Sequence, residues 1–175
     1  RSVFSPRHAS QDAPVEHIRG KAVPSFEKPE RAEIVLARIR SVFGDQVTEP
    51  EAFGTAPLMR VHSPELIEFL SSFWTIWSVE NPGADGFPNA WPPPRSTPGR
   101  TERIGAKLGR FCIDMSSPIL AGTWDAVSAS ADVALTAQEL VANSGGAAFA
   151  LCRPPGHHAG FDYYGGYCFV NNAAV

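Results

Sequence analysis

A long alanine-rich segment that runs directly into a short apolar stretch most constrains the fold. Residues Thr123 to Asn143 predict a helix that Thr123 can cap and that Gly145-Gly146 can end. Ala147 to Leu151 is a short apolar run between those glycines and the turn-forming Arg153-Pro154-Pro155-Gly156. A helix, a turn and a buried strand in this order form the αβ unit of a parallel sheet. The sequence therefore predicts an α/β fold.

The N-terminal half of the chain predicts one more strand and two more helices. Ser2 to Ser5 is a β-prone run, and the polar, Gly- and Pro-containing stretch from His8 to Pro29 reads as a long loop. Glu30 to Phe43 predicts an amphipathic helix with an apolar stripe of Ile34, Val35, Ile39, Val42 and Phe43. Ser63 predicts an N-cap for a helix from Pro64 to about Glu80. That helix should bury Leu66, Phe69, Leu70, Phe73 and Trp77.

Two segments carry less regular signals. Residues 81–105 are rich in proline, and a loop of that length inside a compact domain is usually functional, although a solvent-exposed insertion is the alternative. Asn171 to Val175 predicts the cap and first turn of another helix. We therefore expect these 175 residues to be the N-terminal part of a longer polypeptide whose C-terminal half is absent here.

Composition excludes several classes of partner. Fifteen Lys and Arg against eighteen Asp and Glu give a net charge of -3, which provides no general attraction to nucleic acid or to anionic lipid. The chain has no apolar run of about 18 residues, so we expect no membrane span. Three cysteines without a CxxC motif favour a reducing compartment, and we expect a cytoplasmic protein.

The candidate chemistry lies in two adjacent histidines, His157 and His158, just after the predicted strand at Ala147 to Leu151. The carboxyl ends of strands are where open α/β sheets bind ligands. Proline and glycine on either side of the pair suit a loop that fixes two imidazoles in place. Histidine titrates near neutrality, as a general base that later returns its proton must. A bare histidine pair is also compatible with a surface or core role, and His8, His17 and His62 are expected to be structural or exposed.

The sequence around the pair is more specific than the pair itself. RPPGHHAG, followed by GGYCFVNNAAV, resembles the zinc-dependent deacetylase family that includes histone deacetylases and bacterial acetylpolyamine amidohydrolases, and is most similar to the latter. The resemblance covers essentially the whole chain, with further matches at Val3-Phe4-Ser5, Pro24-Ser25-Phe26-Glu27, Arg31-Ala32-Glu33, Val61-His62 and Gly122-Thr123-Trp124.

The resemblance implies an arginase-deacetylase-like three-layer fold, with residues 1–175 as the N-terminal part of one catalytic domain. It implies an amide hydrolysis in which a zinc-bound water attacks an acetyl carbonyl. His158 would be the general base and then the acid, and His157 would stay largely electrostatic. Gly166 would offer a backbone contact to substrate, and Tyr167 and Phe161 would form channel walls.

The resemblance places the zinc ligands, an Asp-x-His pair and a further Asp, beyond Val175. We therefore assign no metal ligand in this chain, although zinc is the expected cofactor. Two alternatives stay open on residue type. One is a zinc site made of Cys152, His157, His158 and Cys168, whose spacing fits no common pattern. The other is a nucleophilic pair of Cys168 with His158.

The expected substrate is a small acetylated amine such as an acetylpolyamine. Asp114 is the candidate acid for its ammonium group, with Glu102 as a second candidate, but the stretch from Arg100 to Lys107 is net basic. A deacetylase acting on acetyl-lysine therefore remains an alternative. A truncated, non-catalytic module that binds acylated amines or a protein partner is another. The insertion at 81–105 resembles the one that shapes a homodimer in the polyamine enzymes.

Overall fold

The computed structural model describes residues 1–93 and 101–175. Three short strands form a sheet in the order β4-β1-β5, and β1 is parallel to both neighbours. The strands are β1 (Ser2–Val3), β2 (Val15–Ile18), β3 (Lys21–Pro24), β4 (Val47–Thr48) and β5 (Phe149–Ala150). The helices are α1 (Pro29–Phe43), α2 (Pro64–Glu80), α3 (Ile104–Phe111) and α4 (Thr123–Ser144), with 3-10 turns at Pro6–Ser10 and Leu58–Arg60.

The sheet lies between two helices because Val3, the last residue of β1, and the next residue, Phe4, face opposite sides. Val3 packs with Val133 and Ala137 of α4, whereas Phe4 packs with Ala32 and Leu36 of α1. A helix, a parallel sheet and a second helix make three layers, which confirms the predicted α/β architecture. The predicted strand at Ala147 to Leu151 is β5, and it pairs with β1 in the expected parallel sense.

The start of α4 differs from the expectation. Thr123 does not cap the helix; the N-cap is Gly122 and no side-chain bond is made there. The Thr123 hydroxyl instead donates to Gln11 Oε1 (2.5 Å) and accepts from the amide of Leu120 (2.7 Å). A Cβ at Gly122 would come within 2.4 Å of the Ser10 carbonyl oxygen, so the absence of a side chain lets this 3-10 turn lie against α4.

The stretch from His8 to Pro29 is not one long loop. It contains most of the 3-10 turn at Pro6–Ser10 and an antiparallel hairpin of β2 and β3, in which Ile18 pairs with Lys21. The two-residue turn between the strands has positive φ at Arg19 (52°) and Gly20 (76°), the pattern of a type I′ turn. An arginine in the first of these positions hides the hairpin from a search for Asn-Gly or Asp-Gly.

The largest core cluster lies beside this three-layer unit, where α2 and α3 pack on the segment around Tyr164. Ser63 caps α2 as predicted, because its hydroxyl accepts from the amide of Leu66 (3.2 Å). The buried residues of α2 are Leu66, Ile67, Phe69, Leu70 and Phe73. Trp77 is half-buried and stacks on Phe73 with ring centroids 5.2 Å apart.

Helix α3 was not predicted, because it lies at the C-terminal end of the proline-rich stretch. The first part of residues 81–105 packs on the domain: Gly86 bridges to Ile119, and the Trp91 indole donates to the Cys112 carbonyl (2.7 Å). Residues 94–100 of the same stretch lie outside the described residues. No helix among the described residues is both long enough and apolar enough to cross a membrane.

Helix α1 begins at Pro29, one residue before the predicted start, and stops at Gly44 as predicted, but most of its apolar stripe is exposed. Ala32 and Leu36 are its buried residues, whereas Ile34 is 71% exposed and Phe43 is 64% exposed. Val35 and Val42 are also exposed, and Ile39 is half-buried. The buried face of α1 in this chain is therefore formed by Ala32 and Leu36 and not by the apolar stripe.

Candidate active site

The loop that carries the two histidines is anchored by a buried arginine three residues after β5. Arg153 is 3% exposed, and its guanidinium donates to the carbonyl oxygens of His8 and Gln11 at 2.6 Å each. It also forms an ion pair with the buried carboxylate of Glu27 (2.8 Å). Burial raises the pKa of Glu27, and the charge of Arg153 opposes that shift. These bonds fix where the loop leaves the sheet.

The next residues of the loop are held from two directions. The Pro154 carbonyl accepts from the Ser130 hydroxyl (2.7 Å) and from Asn172 Nδ2 (3.0 Å). A Cβ on Gly156 would lie 2.4 Å from the Asn172 amide nitrogen, so only glycine fits this approach. The backbone on the N-terminal side of the histidines is therefore fixed by contacts with α4 and with the 171–172 turn.

His157 and His158 are both exposed, as side chains that act on an external molecule must be. Their ring centroids are 4.4 Å apart and the rings are tilted by 48°. Two imidazoles at this separation can both contact one small group of a bound molecule, such as a carbonyl. The structure thus places the predicted catalytic pair side by side at the end of β5.

A tight turn packs directly on the second imidazole. Gly165 and Cys168 exchange both backbone hydrogen bonds at 2.9 Å, and φ is positive at Gly166 (58°) and Tyr167 (65°), as in a type I′ turn. A Cβ on Gly166 would lie 2.6 Å from Cδ2 of His158. Gly166 therefore supplies both the backbone conformation and the room that the His158 ring needs.

Asp114 holds this turn from the other side. One of its carboxylate oxygens accepts from the Gly166 amide, and the other accepts from the Ser116 amide (2.9 Å). The amide of the predicted substrate-contacting Gly166 is thus already bound within the chain. The substrate-binding roles of Asp114 and Gly166 remain predictions, while the observed contacts give both residues a part in positioning His158.

Tyr167 is half-buried and is fixed at both ends. Its amide donates to the Ser117 hydroxyl (2.8 Å), and its phenol donates to the fully buried carboxylate of Glu16 (2.6 Å). Burial, followed by the hydrogen bond and charge of Glu16, raises the pKa of Tyr167 to about 12. The phenol therefore stays protonated at neutral pH, and both the backbone and the ring are held in place. The role of Tyr167 as a channel wall remains a prediction.

Phe161 follows His158 by three residues in the same loop and is 63% exposed. Its backbone is fixed, because its carbonyl accepts from the Ser63 amide (2.7 Å) at the start of α2. Its role as a second wall remains a prediction. Glu102, the second candidate acid, is also exposed and pairs with Lys107 (3.0 Å).

The two alternatives built on cysteines receive no support. Cys168 is fully buried and burial raises its pKa, so its thiol is a poor nucleophile beside His158. Burial also raises the pKa of Cys152, to about 11. Within residues 1–93 and 101–175, no group of three or more His, Cys, Asp or Glu side chains could hold a metal ion. The described residues therefore do not provide a zinc site of their own.

The sequence did not predict the partners of the residues that hold the site in place, although His62 has the structural role expected for it. Glu16, Glu27 and His62 are buried polar side chains whose partners lie far away in sequence; Glu16, for example, binds a residue 151 positions later. No local spacing connects such partners. A charged side chain is almost never fully buried unless it is paired, but the burial of Glu16 that indicates such a partner is seen only in the structure.

Comparison with known proteins gives matches over most or all of this chain. A family model described as the histone deacetylase domain matches residues 25–175. Acetylpolyamine amidohydrolase 2 of Pseudomonas aeruginosa is 43% identical over 174 residues, which cover 99% of this chain and 51% of that protein. The acetylpolyamine amidohydrolase of Mycoplana ramosa is 38% identical over 175 residues, covering 100% of this chain and 51% of that protein.

A solved structure extends the likeness to three dimensions. The crystal structure of the acetylpolyamine aminohydrolase from Burkholderia pseudomallei superposes with a TM-score of 0.88 at 35% identity, over 98% of this chain and 50% of that one. The chain spans about half the length of the curated relatives it matches.

Proposed function

This chain belongs to the histone deacetylase family, and from that membership we propose that its protein is a metal-dependent amidohydrolase that removes acetyl groups from small amines such as acetylpolyamines. The observation that carries the proposal is the exposed His157–His158 pair, held at the end of β5 by contacts on both sides of the loop. The names of the relatives, acetylpolyamine amidohydrolases, support the substrate class.

His158 acts as the base and then as the acid. It accepts a proton from the water that attacks the acetyl carbonyl, and it passes that proton to the amine nitrogen as the C–N bond breaks. The products are acetate and the free amine. His157, beside it, stabilises the negative charge that develops on the carbonyl oxygen. Gly166 and Asp114 keep the ring of His158 in place through the contacts described above.

A cluster of carboxylates favours a cationic substrate. Glu16, Asp114 and Glu27 each act electrostatically on Tyr167, and all three oppose loss of its proton. Glu27 is balanced by Arg153, whereas Glu16 and Asp114 bind a phenol and backbone amides, which carry no formal charge. The side of the site next to Tyr167 is therefore negative, which attracts an ammonium group.

Zinc is the cofactor that family membership implies, and it polarises the carbonyl and the attacking water when bound. The chain spans about half the length of its relatives, and we propose, as the family resemblance implies, that the zinc ligands lie C-terminal to Val175. Accordingly, we propose that the 175-residue chain by itself does not turn over acetylated amines.

The test compares His158→Ala with wild type in the full-length protein. We measure release of acetate from acetylputrescine, acetylspermidine and an acetyl-lysine peptide, together with zinc content. We expect turnover to fall by about 100-fold or more, because general acid–base catalysis contributes about 10²–10⁴-fold, with zinc content unchanged. Gln138→Ala, on the exposed face of α4, is the control and should behave as wild type.

Three outcomes would contradict the proposal. Substantial turnover by His158→Ala would remove this residue from the mechanism. If the protein deacetylates only the acetyl-lysine peptide, its substrate is acetyl-lysine and not an acetylpolyamine. If the zinc-loaded wild-type protein binds acetylated amines but releases no acetate, it is a binding module and not an enzyme.

We also propose that the protein is a homodimer through residues 81–105. The described part of this stretch exposes Trp91 (47%) and Arg103 on the surface of the α2–α3 unit. Light scattering should give twice the mass of the polypeptide, and Arg103→Glu should shift it towards the monomer. A monomeric wild type contradicts this proposal.

The three free cysteines support a reducing, cytoplasmic setting, and we propose no binding to nucleic acid or membrane. Fractionation of cells that express the full-length protein, with gel-shift and vesicle-binding assays, checks these points. Recovery of the protein with membranes or retention by DNA would contradict them.

A further inference from the structure

The backbone that follows the catalytic pair is held by three consecutive carbonyl groups. Each carbonyl accepts a hydrogen bond from a group on a distant segment. The donors are Asn171 Nδ2 to Ala159 (3.1 Å), His62 Nδ1 to Gly160 (2.7 Å) and the Ser63 amide to Phe161 (2.7 Å). The C-terminal side of the histidine loop is therefore attached to the start of α2 and to the 171–172 turn.

His62 is the centre of this attachment. Its side chain is fully buried, and while Nδ1 contacts the Gly160 carbonyl, Nε2 accepts from the Asn171 amide (2.9 Å). A ring nitrogen that faces a carbonyl must carry a proton, and one that faces an amide N–H must not. Only the neutral ring with its proton on Nδ1 satisfies both contacts.

We propose that His62 is a positioning residue, whose neutral ring joins Gly160 to Asn171 so that the loop presents His157 and His158 in a single arrangement. The kinetic part of this inference rests on the proposed function; the structural part does not. His62 acts through the backbone, because its two partners are a carbonyl and an amide of the segments on either side of the site.

Two substitutions separate the two bonds. His62→Asn keeps an N–H at about the position of Nδ1 and loses the acceptor for Asn171. His62→Gln keeps an oxygen at about the position of Nε2 and loses the donor to Gly160. Because Gly160 lies two residues from His158, we expect His62→Gln to disturb the pair more than His62→Asn does.

The first measurement is the ¹⁵N spectrum of the histidine side chains in the full-length protein. In wild type, we expect His62 to show a protonated Nδ1 and an unprotonated Nε2. In His62→Gln, the resonances of His157 and His158 should shift or split, while those of His17 on the β2–β3 hairpin stay in place. This measurement needs no substrate, so it tests the positioning role of His62 even if the protein proves not to be a deacetylase.

The second measurement is the kinetics of the same variants. We expect His62→Gln to lower kcat by about 10- to 100-fold with little change in KM, because misplaced catalytic groups slow the chemical step. His62→Asn should retain more activity. The opposite tautomer in wild type overturns the inference even if neither variant folds. Unchanged His157 and His158 resonances in a folded His62→Gln, or a kcat within about twofold of wild type, overturn it as well.

Discussion

At the scale of single residues, the site depends on glycines that make room for larger neighbours. Gly166 shows this most clearly, because it combines a positive φ of 58° with an imidazole at the place where its Cβ would be. The sequence shows a glycine pair but not its reason. The imidazole that excludes a side chain there belongs to a residue eight positions earlier, on a different turn.

Alanine at Gly166 adds two effects, strain from the positive φ and a steric clash with the His158 ring, and a control variant can separate them. We expect Gly166→Ala to lower turnover by about 100-fold, because a Cβ 2.6 Å from His158 Cδ2 must move that ring. The measurement is kcat together with the His158 resonance. Gly54→Ala is the matched control: its φ is 71° and nothing lies within 4 Å of the added Cβ.

Both alanines should cost about 1 kcal/mol of unfolding free energy, because a left-handed conformation disfavours any Cβ. Only Gly166→Ala should also change the site. Equal turnover in the two variants would show that His158 tolerates the Cβ and that its position is not set by this contact.

At the scale of secondary-structure elements, α1 shows that periodicity predicts a helix better than it predicts the face that is buried. The stripe of Ile34, Val35, Ile39, Val42 and Phe43 predicted the helix to within one residue, but these side chains are mostly exposed in this chain. The helix docks on the sheet through Ala32 and Leu36, because these residues meet Phe4, Val47 and Leu151. The choice between two apolar faces is made by the partner surface.

A pair of substitutions two residues apart in α1 tests this orientation. Leu36 is 3% exposed, so Leu36→Ala should lower the unfolding free energy by roughly 2–4 kcal/mol through lost burial and a residual cavity. Ile34 is 71% exposed, so Ile34→Ala should cost less than about 1 kcal/mol. Urea unfolding at constant m-value is the measurement. A larger loss for Ile34→Ala would mean that the helix is rotated in solution.

At the scale of the whole molecule, buried ionisable groups tie distant segments together, and their titration should change global stability. Burial lowers the pKa of His62, although the carbonyls of Gly160 and Phe161 pull it the other way. Burial raises the pKa of Glu27. These two groups have opposite effects, because stability from a lowered pKa is lost as the pH falls and stability from a raised one is lost as the pH rises.

Subtracting the His62→Gln profile from that of wild type isolates the histidine. Above the unfolded pKa of about 6.5, the neutral ring contributes its full stability; as the pH falls through the window below that value, the contribution declines. We expect the difference in unfolding free energy between wild type and His62→Gln to shrink from pH 7.5 to pH 5.5. Denaturant unfolding at both values measures it, and a difference that grows on acidification would contradict the sign.

The sequence by itself determined the αβ unit that carries the site, the bounds of α1, α2 and α4, the histidine pair and the family. These depend on local spacing: glycine after helical periodicity, a short apolar run, and two imidazoles directly after it. The tertiary structure alone decided the orientation of α1, the β2–β3 hairpin and α3. It also decided the hydrogen-bond partners of Arg153, Glu16 and His62. In the bonds that hold the site, these partners are 98 to 151 residues apart in sequence. Contacts over such distances form only when the whole chain packs, so no window along the sequence contains both partners.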